Sequence, residues 1–360
     1  GIFTINAAKA NLTFAKDQYL KMLAHLENKR DLHLPKACKM NPTMVCIPRS
    51  EEQGGIFVDQ YQIWTNGFFP GVLWKLLSAK HNINWTREEE KKLFDDALYY
   101  QKTLYADTTL DSTHDLGFML YDSFGEALHY DKLDVDTRQA YLEALDTGRV
   151  TLASRYSDEK GVIKSWDFEP KMKLSTLEQG RPKTKPYTLS NPWSYPVIVD
   201  NLMNLEYLFD SDVERYHEVA FNHAKHTQLN HYFYDESDTD KHYPLAYHVF
   251  DYGANKPGNW QGLGNISAWA RGQAWSLYGY VTVVEAIENA KVDLSTFPDF
   301  HTHLHRLLGS VEYLLADGYV PYWDFFAARE NAYEYAENTS PETTIYSGIL
   351  ELCDKRIEAN

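Results

Sequence analysis

Apolar residues recur at three-to-four spacing along most of the chain, the signature of helices that bury one face. In residues 11–27, Leu12, Tyr19, Leu20, Leu23 and Leu26 fall near one stripe. Thr86 and Glu89 form a capping box for a helix to about residue 104, in which Leu93, Ala97, Leu98 and Leu104 recur. The same pattern predicts helices near 67–79, 116–129, 136–154, 197–209, 211–230, 267–289, 298–317 and 340–353. Few stretches alternate with the two-residue period of a strand, so the expected class is all-α. No fixed-period repeat is visible, which disfavours a solenoid. A closed (α/α) barrel fits better, as one domain spanning residues 1–360.

One linker differs from the rest. Residues 167–195 carry Lys171, Lys173, Arg181, Lys183, Lys185 and several prolines with little periodicity. It reads either as a solvated loop or as a basic flap beside an anionic ligand.

Composition narrows the function classes. The chain has 360 residues, with 44% hydrophobic and 24% charged, values of a globular protein. Its 9 Trp and 26 Tyr suit either sugar stacking or a large aromatic core. A formal charge of −16 argues against a nucleic-acid partner and against docking on an anionic membrane. It leaves room for a small anionic substrate, because one or two cations can dominate a pocket. No apolar run approaches the roughly 20 residues of a membrane span. A first residue of Gly1 with no signal pattern leads to the expectation that a leader or tag has been removed. Cys38 and Cys46 lie close enough in sequence to bridge in an oxidising compartment, leaving Cys353 over.

Four segments look over-specified for packing: Trp64-Thr-Asn-Gly-Phe-Phe-Pro-Gly71, His114-Asp-Leu-Gly-Phe118, Tyr195-Pro-Val-Ile-Val-Asp-Asn-Leu-Met-Asn204 and Trp269-Ala-Arg-Gly-Gln-Ala-Trp275. Asp115 reads first as a helix N-cap. Asp200 is harder to explain by packing, since Val197, Ile198, Val199, Leu202 and Met203 surround it in sequence. A carboxyl in such surroundings is costly unless bonded, neutral or functional, and desolvation suits it to act as a general acid. Arg271, between Trp269 and Trp275, can stack on aromatics, hold a carboxylate through two hydrogen bonds, or cap a core. Trp64, Trp166 and Trp275 each read as core or as a sugar platform, and His248 alone as a structural histidine. His223 and His226 share a helix face without a clear third ligand, so a solvated face is expected and no metal site. Neither a phosphate-binding glycine loop nor a nucleophile elbow occurs.

As a set, these segments resemble the unsaturated glucuronyl hydrolases of glycoside hydrolase family 88, with the unsaturated rhamnogalacturonyl hydrolases of family 105 behind them. The resemblance runs from about Trp64 to Leu352. It implies an (α/α)6 barrel, a six-hairpin toroid. It also implies Asp200 as general acid/base and Asp115 as its partner carboxylate. Trp64, His114, Trp166, His248, Trp260, Gln261, Arg271 and Trp275 fall to substrate binding. The implied reaction removes a 4,5-unsaturated uronic acid from the non-reducing end of a lyase-generated oligosaccharide. A proton adds at C4 of the enol ether and water adds at C5, without metal or organic cofactor.

Three departures from the family pattern stand out. Trp260 precedes Gln261 where the family commonly has His. Asn338, in Glu337-Asn-Thr-Ser-Pro341, replaces the family's usual Asp. The chain also stops at Asn360, so a barrel lacking its C-terminal closing helix is expected. Two other readings stay open: a helical-barrel lyase or epimerase, and a non-catalytic carbohydrate-binding protein. Oligosaccharide uptake favours a bacterial periplasm over cytoplasm, and oligomeric state is undetermined by sequence.

Overall fold

The computed structural model describes residues 4–28, 32–52, 55–59, 62–167, 172–173, 188–189, 193–258, 260–290, 298–316, 318–327 and 329. The chain falls into two compact units, residues 1–111 with 115–154, and residues 112–114 with 155–360. The basic linker falls largely outside the described residues. The segment around Asn338 and the helix expected over 340–353 fall there entirely.

The first unit is built from helices α1 (Ile5–Glu27), α2 (Lys36–Met40), α3 (Phe68–Ser78), α4 (Arg87–Gln101) and α5 (Val135–Ala153). Sequence-coded caps start three of them. Thr4 accepts from the Ala7 N–H, Asp134 accepts from Thr137, and Thr86 and Glu89 close the expected capping box. π-helical turns over Gly117–Gly125 pack against α3. That approach requires Gly71, since a Cβ there would stand 2.0 Å from the Asp122 carbonyl oxygen.

A buried polar chain locks these elements together. Trp74 Nε1 donates to Gln101 Oε1 at 2.9 Å, and Gln101 Nε2 donates to Ser123 Oγ at 2.9 Å. Ser123 Oγ in turn donates to the Met119 carbonyl at 2.6 Å. Strands Ile47–Glu52 and Gly55–Asp59 pair antiparallel, an element that the helical periodicity did not predict. Cys38 and Cys46 form the disulfide their spacing allowed, with Cα atoms 6.3 Å apart.

The second unit holds α6 (Leu205–Phe209), α7 (Glu214–Asn230), α8 (Ala270–Ala290) and α9 (Phe300–Leu314). The helix expected over 197–209 is corrected here. The chain runs as a strand over Pro196–Ile198, then a 3-10 turn over Val199–Asn204, and only then as α6. The cause is tertiary: Val197 and Ile198 are β-branched and pair antiparallel with Phe250 and Val249, far along the chain. Strand Lys256–Gly258 completes this three-stranded sheet on the far side of Val249–Asp251. The 3-10 turn rests on α8, where a Cβ on Gly279 would meet Leu202 Cβ at 2.4 Å.

A second correction concerns His223. It is buried rather than solvated, and its Nδ1 accepts from the Ile163 N–H at 3.0 Å. Among the described residues no helix is long and apolar enough to cross a membrane.

Candidate active site

Asp200 leaves the sheet at the first turn after strand Pro196–Ile198, and only 6% of it is exposed. Its position is set by the backbone on both sides. Val199 N–H donates to the His248 carbonyl at 2.9 Å, which brings His248, just before strand Val249–Asp251, against the same turn. Below it, Asn201 Nδ2 donates to the Ile163 carbonyl at 2.7 Å, and Asn204 Nδ2 donates to Asn201 Oδ1 at 2.7 Å. Both asparagines are buried, so these bonds replace lost hydration and hold the turn in one geometry.

His248 is the hub of the site. Its Nδ1 lies 3.5 Å from Asp200 Oδ1, and its Nε2 lies 2.9 Å from Gln261 Oε1. Its ring centroid stands 4.2 Å from that of Trp269, and the Arg271 guanidinium lies over the Trp269 ring at 4.5 Å. Burial drives the His248 pKa down to about 3; the bond to Gln261 opposes this, and the charge of Arg271 adds to it. His248 is therefore a neutral imidazole at ordinary pH. Arg271 is exposed at the start of α8. Trp275, one turn further along α8, is half-buried.

A separate hub sits at Ser165, which is fully buried. Ser165 N–H donates to the Pro196 carbonyl, Ile198 N–H donates to Ser165 Oγ, and His114 N–H donates to the Ser165 carbonyl, each at 2.9 Å. Ser165 Oγ also lies 3.2 Å from His114 Nδ1. One serine thus ties His114 to the strand that delivers Asp200. The next residue, Trp166, packs edge-on to His114 at 6.2 Å and to Trp260 at 6.5 Å, and stacks on Trp193 at 6.3 Å. Trp193 and Trp260 are half-buried, so indole surface stays open to solvent.

The loop carrying Trp260 and Gln261 is organised by Asp324. Its Oδ2 accepts from Leu263 N–H at 3.0 Å and Ser267 Oγ at 2.8 Å, and its Oδ1 from Phe326 N–H at 2.9 Å. Burial raises the Asp324 pKa, and these bonds oppose the rise.

Asp200, His248, Gln261, Arg271, Trp166, Trp260, His114 and Trp275 thus belong to the second unit. Trp64 and Asp115 belong to the first. There Trp64 opens a 3-10 turn and packs edge-on to Phe68 at 5.7 Å and Phe118 at 5.4 Å. Asp115 stands half-buried just before the helical turns, and its carbonyl accepts from Met119 N–H at 3.1 Å. Sequence reasoning missed Ser165, Trp193, Asn201 and Asp324. Only Asn201 carried a signal, being buried among the same apolar neighbours as Asp200. Among the described residues, no group of His, Cys, Asp and Glu is placed to hold a metal ion.

No family model matches the chain. Curated relatives do. An unsaturated glucuronyl hydrolase of Formosa agariphila is 34% identical over 268 residues, covering 73% of this chain and 56% of that protein. An unsaturated chondroitin disaccharide hydrolase of Streptococcus pyogenes is 27% identical over 301 residues, covering 80% of this chain and 63% of that protein. The chain therefore spans little more than half the length of these relatives. Among solved structures, an unsaturated glucuronyl hydrolase specific for heparin matches with a TM-score of 0.61 at 28% identity, over 89% of this chain and 72% of that one. The likeness assigns the fold class as all-α, the α/α barrel of these enzymes.

Proposed function

We propose that this chain, which belongs in sequence and in fold with the unsaturated glucuronyl hydrolases, removes a 4,5-unsaturated uronic acid from the end of an oligosaccharide. The observation that carries the reading is the buried Asp200 carboxyl set 3.5 Å from a neutral His248. A buried carboxyl beside an uncharged ring is suited to hold a proton and release it to substrate.

The chemistry follows from the substrate. Asp200 gives its proton to C4 of the enol ether, leaving positive charge shared between C5 and the ring oxygen. Water adds at C5 and its proton returns to the Asp200 carboxylate. The hemiketal opens, the bond to the next sugar breaks, and one water is consumed per bond cleaved. Anomeric carbon C1 is not attacked, so the spacing rule that separates retaining from inverting glycosidases has no bearing here. Arg271 is the cation for the uronate carboxylate, and Trp166 and Trp260 supply ring faces for sugar. Asp115 takes the second-carboxylate role and Trp64 a substrate contact by the motif resemblance, with Trp275, His114 and Gln261 in the same set.

The test uses the conjugated double bond of the substrate, which absorbs in the ultraviolet. Incubation with lyase products from glycosaminoglycans, rhamnogalacturonan and algal glucuronans is expected to remove that absorbance for at least one class. A lyase would create absorbance from intact polysaccharide, and a binding protein would leave it unchanged. Either result would displace the reading.

A further inference from the structure

We propose that Gln261 is a positioning residue that fixes the tautomer of His248 and so keeps the proton on Asp200, an inference that rests on the acid role given to Asp200 above. The backbone at Gln261 is unusual. Its φ is 66°, in the left-handed region, and Gly262 N–H donates to the Trp260 carbonyl at 2.8 Å, closing a three-residue γ-turn around it. Such a turn is rare and strained for a residue with a side chain, and strain of this kind persists only where surrounding structure holds it. Here Trp323 Nε1 donates to the Gln261 carbonyl, and Asp324 binds the loop two residues on. The strained turn sends the side-chain amide to His248.

The consequence is electronic. An amide oxygen only accepts, so His248 Nε2, 2.9 Å from Gln261 Oε1, carries the ring's N–H. A neutral imidazole has one such proton, which leaves Nδ1 as a bare lone pair. Among the described residues no donor reaches Nδ1. That lone pair stands 3.5 Å from Asp200 Oδ1. It attracts a carboxyl O–H and repels a carboxylate. The contact is long for a hydrogen bond and is of the kind that tightens when substrate binds. Burial and the charge of Arg271 disfavour a second proton on His248, so the ring does not escape by becoming cationic. The proton therefore rests on Asp200 before turnover, leaves for C4, and is replaced from the attacking water because the carboxylate left behind faces a lone pair.

Nitrogen-15 NMR of the histidine-labelled full chain, without substrate and at neutral pH, reads the tautomer directly. His248 is identified by the resonances missing from the His248→Gln spectrum. The expected result is a proton on Nε2 in the unsubstituted chain and in Gln261→Glu, which keeps an acceptor oxygen. In Gln261→Met the proton is expected to redistribute toward Nδ1. Turnover should then fall by roughly 10- to 100-fold, and the alkaline limb of the pH–rate profile should move to lower pH. A purely structural role for Gln261 would not move that limb. A proton on Nδ1 in the unsubstituted chain, or an unchanged tautomer in Gln261→Met, overturns the proposal. Because the tautomer is read without substrate, its failure is separable from a failure of the proposed activity, which the absorbance assay reports alone.

Discussion

His248 Nδ1 stands 3.5 Å from Asp200 Oδ1, in a site where both side chains are almost wholly removed from water. The two residues meet because strand Pro196–Ile198 pairs with strand Val249–Asp251, so residues distant in sequence become neighbours at matched strand ends. The pairing brings a histidine unremarkable in sequence beside the carboxyl. The predictions below follow from that arrangement and from the elements that support it.

Arg271 is an exposed residue whose guanidinium lies over the Trp269 ring. If it receives the uronate carboxylate, Arg271→Ala should raise KM by roughly 100-fold and Arg271→Lys by roughly 10-fold, because Lys keeps the charge but loses the fork. Steady-state kinetics on an unsaturated disaccharide measures both. Equal KM values in all three proteins would remove Arg271 from the substrate site.

Ser165→Ala removes the acceptor for Ile198 N–H and the hydroxyl beside His114. Leaving buried polar groups without partners costs about 1–3 kcal/mol. Urea denaturation should show that loss as a lower midpoint with an unchanged slope. A shift below about 0.5 kcal/mol would mean that the hub is dispensable.

His231 is fully buried, and neither ring nitrogen has a hydrogen-bond partner among the described residues. Burial lowers its pKa to about 3. Between that value and the ordinary pKa of about 6.5, the unfolded chain takes up a proton that the folded chain refuses. Its contribution is thus present above pH ~6.5 and is lost as pH falls, by at most about 1.4 kcal/mol per pH unit. His223, His248 and His303 act with the same sign. His231→Phe should therefore flatten, without abolishing, the decline in denaturation midpoint between pH 7 and pH 4.5. A decline as steep as in the unsubstituted chain would contradict this account.

Gly71→Ala would place a Cβ 2.0 Å from the Asp122 carbonyl oxygen, a backbone atom that cannot swing away. The expected cost is at least the ~1–3 kcal/mol typical of overpacking, read as a lowered thermal midpoint. An unchanged midpoint would show that α3 can slide over the π-helical turns.

Much of this was legible in local sequence, and what was not has a common cause. Thr86 with Glu89 announced a helix start because capping is a local bond, and the structure forms it. The burial of Asp200 could be read from Val197, Ile198, Val199 and Leu202 around it. The strand at Pro196–Ile198 could not, because its three residues acquire extended geometry only by pairing with a distant segment. His223 was misread as solvated because its helix face turns toward the Ile163 backbone, a contact no periodicity encodes. Ser165 and Asp324 are ordinary in sequence and acquire their roles only through bonds to remote backbone. The spacing that let Cys38 and Cys46 bridge was readable, since they stand only eight positions apart.

The central claim is that Asp200 is the proton donor, and the most direct measurement compares Asp200→Asn with the unsubstituted chain on one unsaturated disaccharide. Loss of ultraviolet absorbance and equilibrium binding are followed on the same preparations. The account predicts a rate lowered by about 10²- to 10⁴-fold with affinity largely retained, since the amide keeps the shape of the acid but has no proton to give. Asp200→Asn removing absorbance at a near-normal rate would contradict it.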